Sequence, residues 1–332
     1  MASNGQVLRV AKPLAKVRVT EPVVAMEATE DLSQRHAFIP DPKYAKNYVH
    51  RKVNGVQDFD LLDYAMSKGH NILLMGDTGA GKTMLPMAYA AQKGLAYYSV
   101  PCDVSIDPSA LFGKMMPGTE IGKFVWVDGP VTEMVRNGGV LNISEVNFMP
   151  ARIASSLYPL LDHRRSIQLL GHQGESIRAH PDLLIVADMN PKYRGTQELN
   201  LAFANRFPIK VVWGYDPVVE EKLVPSKALL DMVRKIRNEA GIQTPIGTNA
   251  MLEFVELFGS LGFKFAKSNF TNGFRDTERG AVDKILDASS VNISNELSKM
   301  HQDIDKEIEE LNDKGWFDPK SSNPEDFDME EV

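Results

Sequence analysis

At 332 residues, 43% of them apolar, the chain has enough material for one large core or two. A net charge of -7 excludes a sequence-wide basic field and, with it, tight nonspecific binding to nucleic acid; one cysteine, Cys102, excludes an internal disulfide. No stretch approaches the roughly 20 apolar residues of a membrane span and no apolar signal core stands near the start, so a reducing cytoplasm is the expected location. Residues 1–45 mix Val, Lys, Glu and Ala without a period and predict an arm with little order of its own.

From 46 to 213, short β-rich runs alternate with segments of helical spacing: NILLMG (71–76), AYYSV (96–100), GVLNIS (139–144), LLIVAD (183–188) and IKVVW (209–213). Runs this continuously apolar predict an α/β fold, a parallel five-stranded sheet with helices on both faces. The lone Cys102 is expected to be a small buried hydrophobe rather than a nucleophile. After Tyr215-Asp216-Pro217 the strands stop, and 214–291 predicts a small all-helical domain. Val219, Leu223, Leu229, Leu230 and Val233 open that series, and Met251, Phe254, Val255 and Phe258 form a second apolar stripe. The remainder, 292–332, predicts one more helix between Ile293 and Leu311 and then an acidic, disordered tail.

The first strand runs into GDTGAGKT, Gly76 to Thr83, which matches G-x-x-x-x-G-K-[ST]. In such a loop Gly76, Asp77, Thr78, Gly79, Ala80 and Gly81 curl backbone amides around phosphate oxygens, Lys82 reaches the β and γ phosphates, and the Thr83 hydroxyl holds Mg²⁺. ATP and Mg²⁺ are therefore the expected cofactors. Pro86 falls just past the start of the helix this loop should open, where its missing N–H can cost a hydrogen bond.

A phosphate loop calls for a second strand ending in acid, and VLNISE answers it incompletely. Glu145 stands where a water-polarising carboxylate belongs, while Ser144 takes the place of the metal-directing Asp. Asn190, just beyond LLIVADM, offers an amide that can orient the attacking water. Arg206, before the last strand, can reach a neighbouring subunit's γ-phosphate, or simply serve a helix C-terminus.

The order of phosphate loop, acidic strand, strand ending in Asn, and Asn205-Arg206-Phe207 resembles the AAA+ P-loop ATPases. The stretches 111–141 and 157–207 resemble their MoxR branch, with its NorQ and CbbQ relatives and dynein-related AAA domains. That resemblance covers about residues 46–290, leaving both tails outside. It implies an ATPase ring, usually a homo-hexamer, with ATP between subunits, Arg206 donated across the interface and the helical domain as a lid. It further implies a loop around Met115 to Asp128 and a hairpin around Arg165 to Arg178 that face clients, with Phe124 and Trp126 as candidate gripping residues. The activity implied is chaperone-like remodelling or activation of a protein complex, often with a von Willebrand A domain protein.

Two departures stand out. Ser144 replaces the family's Asp, and Asn249 stands where relatives tend to carry the lid's sensing Arg. A neutral hydroxyl lacks the charge that draws a hydrated cation, so the expectation is an ATPase that binds Mg-ATP and turns it over weakly. Two other readings stay open: a hydrolysis-poor, nucleotide-gated scaffold, and a DNA-directed motor, which the acidic balance disfavours.

Overall fold

The computed structural model describes residues 39–118, 122–191 and 199–313. The N-terminal arm up to residue 38 and the acidic tail from 314 lie outside the described residues.

Five strands form the central sheet: β1 (Ile72–Met75), β2 (Tyr97–Pro101), β3 (Gly139–Ser144), β4 (Leu183–Met189) and β5 (Ile209–Val212). They lie in the order β5-β1-β4-β3-β2, and every pair is parallel. Alternating side chains serve two cores, which is why the strands read as unbroken apolar runs. Leu73, Leu141, Ile143, Ile185 and Ala187 pack with helix α3 (Pro130–Asn137) and helix α4 (Ala151–Leu161). On the other face Ile72, Leu74, Val140, Leu184 and Val186 meet helix α1 (Asp58–Lys68) and helix α2 (Met84–Lys93). Helices α1 and α2 each stop at a glycine in the left-handed region, Gly69 and Gly94. Cys102 is buried, and burial pushes its thiol up to about 12, so it behaves as the inert hydrophobe its isolation predicts.

The segment before α1 is pinned by one carboxylate. Asp58, fully buried, accepts from Tyr48 Oη (2.9 Å), Arg51 N (3.0 Å) and Phe59 N (2.9 Å), with His50 Nδ1 at 3.0 Å. That fixes Arg51 against the end of the sheet.

Two hairpins project from the helical layers. One pairs Gly113–Pro117 with Phe124–Asp128, so the expected client loop is a β-hairpin; the other pairs Ser166–Leu169 with Glu175–Arg178. They are joined. Trp126 stacks on His172 at 5.1 Å, and Arg136 of α3 bonds Asp128 at 2.7 Å and both Glu175 oxygens at 2.8 and 2.7 Å.

Beyond β5, Asp216 caps α5 (Pro217–Leu223) by accepting from Val218 N, and Ser226 caps α6 (Lys227–Asn238). Helices α7 (Thr248–Leu261), α8 (Phe263–Asn272) and α9 (Asp276–Asp313) complete the helical domain. Ile293 and Leu297 share its core with Val282 and Leu286 on α9. The helix expected from Ile293 is thus the second half of a 38-residue helix, and the packing does not divide at 292. Among the described residues, no helix is long and apolar enough to cross a membrane.

Candidate active site

The loop between β1 and α2 is held by its carbonyls. Lys82 Nζ donates to the carbonyls of Gly76 and Asp77, each at 2.9 Å, and Tyr215 Oη to that of Thr78 at 2.9 Å. Thr248 N takes the Gly79 carbonyl, Arg51 and Trp213 Nε1 share that of Ala80 at 2.7 and 3.1 Å, and Leu85 N takes that of Gly81. A trans peptide sets each N–H opposite the preceding C=O. Tying the carbonyls of Thr78 to Gly81 into the protein therefore turns the amides of Gly79 to Lys82 the other way, toward the concave side of the loop, where together they suit an anion.

Close approach calls for glycine at two points here. Gly79 has φ +73, and a Cβ on it would lie 2.7 Å from Gly247 Cα. A Cβ on Gly76 would stand 1.8 Å from the Trp213 carbonyl oxygen. Burial lowers the Lys82 ammonium below its ordinary range, while the charges of Asp188, Glu145 and Asp77 act the other way. Pro86 is the third residue of α2 and buried; the amide it lacks would follow Leu85 in the helical series.

Two cavities flank the loop. One, about 260 Å³, is lined by Tyr48, Val49, Gly79, Met84, Val219 and Leu252, with Asn249 at its wall. Its apolar sides and its place beside the amides suit a flat heterocyclic base. The other, about 570 Å³, brings Asp77 and Asn190 together with Arg237 and Arg275 of the helical domain. Two arginines of the helical domain thus stand near the loop although position 249 carries none. Arg237 is engaged already, bidentate to buried Glu220 at 3.0 and 2.7 Å and stacked over Tyr215 at 3.8 Å.

The sheet edge supplies the remaining groups. Asn190 Nδ2 donates to Thr78 Oγ1 at 2.9 Å, which places that amide on the loop. Glu145 follows β3 in the left-handed region at φ +56, unusual for a non-glycine residue, and its side chain is exposed. Ser144 is half-buried beside it. Asp188, near the end of β4, is only 2% exposed. Its carboxylate meets Glu145 N at 3.4 Å and Asn142 Nδ2 at 3.4 Å, and the Asn142 Oδ1 atom is buried without a partner.

Among the described residues no three His, Cys, Asp or Glu gather into a cation cage. Mg²⁺ rarely uses one: it takes one or two carboxylates, retains waters and borrows phosphate oxygens. The oxygen donors Thr83, Ser144 and Asp188, with the orphaned Asn142 oxygen behind them, fit that requirement.

Arg206 is not brought to this loop. Within the chain it stacks over Tyr158 at 3.7 Å and bonds the Ala202 carbonyl. Of the two candidate gripping residues, Phe124 is 62% exposed, whereas Trp126 is engaged with His172 and Asp128. Sequence reasoning missed Arg51, Trp213, Tyr215 and Gly247, which hold the loop, and Asp188. For Asp188 a signal existed, an acid closing an otherwise apolar strand.

Comparison with known proteins finds one family and several similar chains. The AAA domain family, in its dynein-related subfamily, matches residues 71–207. An uncharacterized protein of Staphylococcus saprophyticus is 31% identical over 196 residues, 57% of this chain and 73% of the relative. One from Staphylococcus haemolyticus is 37% identical over 142 residues, 42% of this chain and 54% of the relative, so the match spans about half of that protein's length. The crystal structure of NtrX from Brucella abortus with ADP is similar at 20% identity and a TM-score of 0.37, covering 68% of this chain and 47% of that one.

Proposed function

Because the chain belongs to the dynein-related AAA family, we propose that it is a Mg-ATP-dependent AAA+ ATPase of MoxR type that remodels or activates a protein complex. The observation that carries this reading is the phosphate loop, whose carbonyls from Gly76 to Gly81 are tied into the protein. Thr83 and the acid-bearing strand ends would hold the metal, which neutralises phosphate charge when bound. Glu145 polarises the attacking water, and Asn190, already on Thr78, orients it. Arg206 acts across a subunit interface in a homo-hexamer, exchanging Tyr158 for the neighbour's nucleotide.

A protein client is favoured by the Gly113–Asp128 hairpin, where Met115, Met116, Phe124, Val125 and Val127 are all exposed. A von Willebrand A domain protein is the partner class we propose, and the cytoplasm the location. A second reading, a hydrolysis-poor scaffold, is favoured by Ser144, which brings no charge to β3. Phosphate release by the native chain, against Glu145→Gln, separates the two: an ATPase loses its release on substitution, and a scaffold has none to lose. Sedimentation with saturating Mg-ATP tests the ring. A chain that stays monomeric and takes up no nucleotide overturns both readings.

A further inference from the structure

Asp188 stands near the end of β4 as Ser144 stands at the end of β3. The parallel register pairs Leu183 through Ala187 with Gly139 through Ile143, so its next step sets Asp188 beside Ser144. Both alternate onto the side of Val140, Leu184 and Val186, which pack with Leu85, Ala88 and Tyr89 of α2, the helix that the phosphate loop opens. Two adjacent strands therefore present a hydroxyl and a carboxylate to the same helix.

Asp188 is nearly inaccessible, and both its contacts, at 3.4 Å, lie beyond the ordinary length of a hydrogen bond to a carboxylate. Burying a charge so thinly satisfied is costly, and no folding role on this face calls for it, since an apolar residue would continue the pattern of Leu184 and Val186. One of those two partners, Asn142, has its own oxygen buried and unbonded. This pair is built for something that enters from the loop side, and Lys82 already feels the charge.

We propose that Asp188 is the metal-directing carboxylate of this site, supplied from β4 in place of the one that position 144 lacks. The inference rests on the Mg-ATP reading above and deepens it. It also accounts for the serine. Neighbouring strands lie about 4.8 Å apart, and carboxylates on both would repel across a poorly solvated gap. Ser144 is then the neutral neighbour that a charged Asp188 requires, and the missing acid at β3 is no defect in the hold on the cation.

The test is the magnesium dependence of nucleotide binding, read with a fluorescent ATP analogue in magnesium and in EDTA. The native chain is expected to bind more tightly with magnesium. Asp188→Asn should keep its EDTA affinity and lose the magnesium-dependent gain by about 10- to 100-fold. Exchanging the two, Ser144→Asp with Asp188→Ser, should restore that gain, because the carboxylate then sits one strand over on the same face; this variant also carries the test if Asp188→Asn does not fold. A magnesium gain left intact in Asp188→Asn, or an exchange variant that folds and binds in EDTA yet shows no gain, overturns the assignment. A native chain that binds in neither buffer overturns the proposed function itself, and this inference with it.

Discussion

Gly247, at the start of α7, lies so close to Gly79 of the phosphate loop that a methyl group on it would stand 2.8 Å from the Gly79 Cα, and the next residue, Thr248, donates its amide to the Gly79 carbonyl. The helical domain thus touches the loop backbone directly. Gly247 itself has an ordinary φ of -75, so alanine there is strained by its contacts with the loop backbone, the Thr78 carbonyl oxygen at 3.2 Å included, and not by its own conformation. Gly247→Ala should push the helical domain off the loop and weaken ATP affinity on the order of tenfold, about 1.4 kcal/mol. Gly241→Ala, which meets nothing within 4 Å, is the control and should bind as the native chain does. Isothermal titration of both variants checks this.

Glu145 holds a left-handed backbone that favours glycine. Glu145→Gly should therefore raise the melting temperature, by relief of about 1 kcal/mol of strain, while abolishing phosphate release. Glu145→Gln keeps the strain and should abolish release without raising the melting temperature. Calorimetry on the pair separates the two effects.

The loop and the five strands were legible in the sequence because their signals are local. The motif is eight consecutive residues, and burial on both faces of a parallel sheet leaves unbroken apolar runs. The residues that hold the loop in shape were not legible, because Arg51, Trp213 and Tyr215 reach it from far along the chain and carry no spacing that announces the contact. Asp188 escaped for a related reason. Its meaning depends on strand order, which sets β4 next to β3, and order is a property of the fold rather than of any stretch of residues. The stretch expected as a loop around Met115 to Asp128 is a hairpin, by its Lys114–Val127 and Met116–Val125 pairings.

The helical domain carries a buried ion pair that ties α5 to α6. Glu220 is 2% exposed and receives Arg237, which also bonds the Ile246 carbonyl. Arg237→Leu should destabilise this domain by roughly 3–5 kcal/mol, since it leaves a carboxylate buried without its cation. Glu220→Leu together with Arg237→Leu should recover much of that loss. Hydrogen exchange over 217–272 reads the domain apart from the sheet.

Arg136 holds the Glu175 carboxyl down to about 2, with His172 acting in the same direction and burial against it. A lowered carboxyl stabilises the fold above the ordinary glutamate range and loses that contribution as pH falls through its folded value. The native chain should thus melt above Glu175→Gln at neutral pH, and the gap should close between about pH 4 and pH 2. A gap that stays constant over that window would rule out the ion pair as its source.

The clasp between the hairpins has a mechanical meaning. Trp126 rests on His172 while Arg136 grips both strands' carboxylates, so neither projection can swing without dragging the other. Arg136 belongs to the helix whose chain turns at Gly138 and enters the strand that leads to Glu145. Under the proposed remodelling reading, a pull on Phe124 would therefore reach the strand that leads to Glu145 through one short helix.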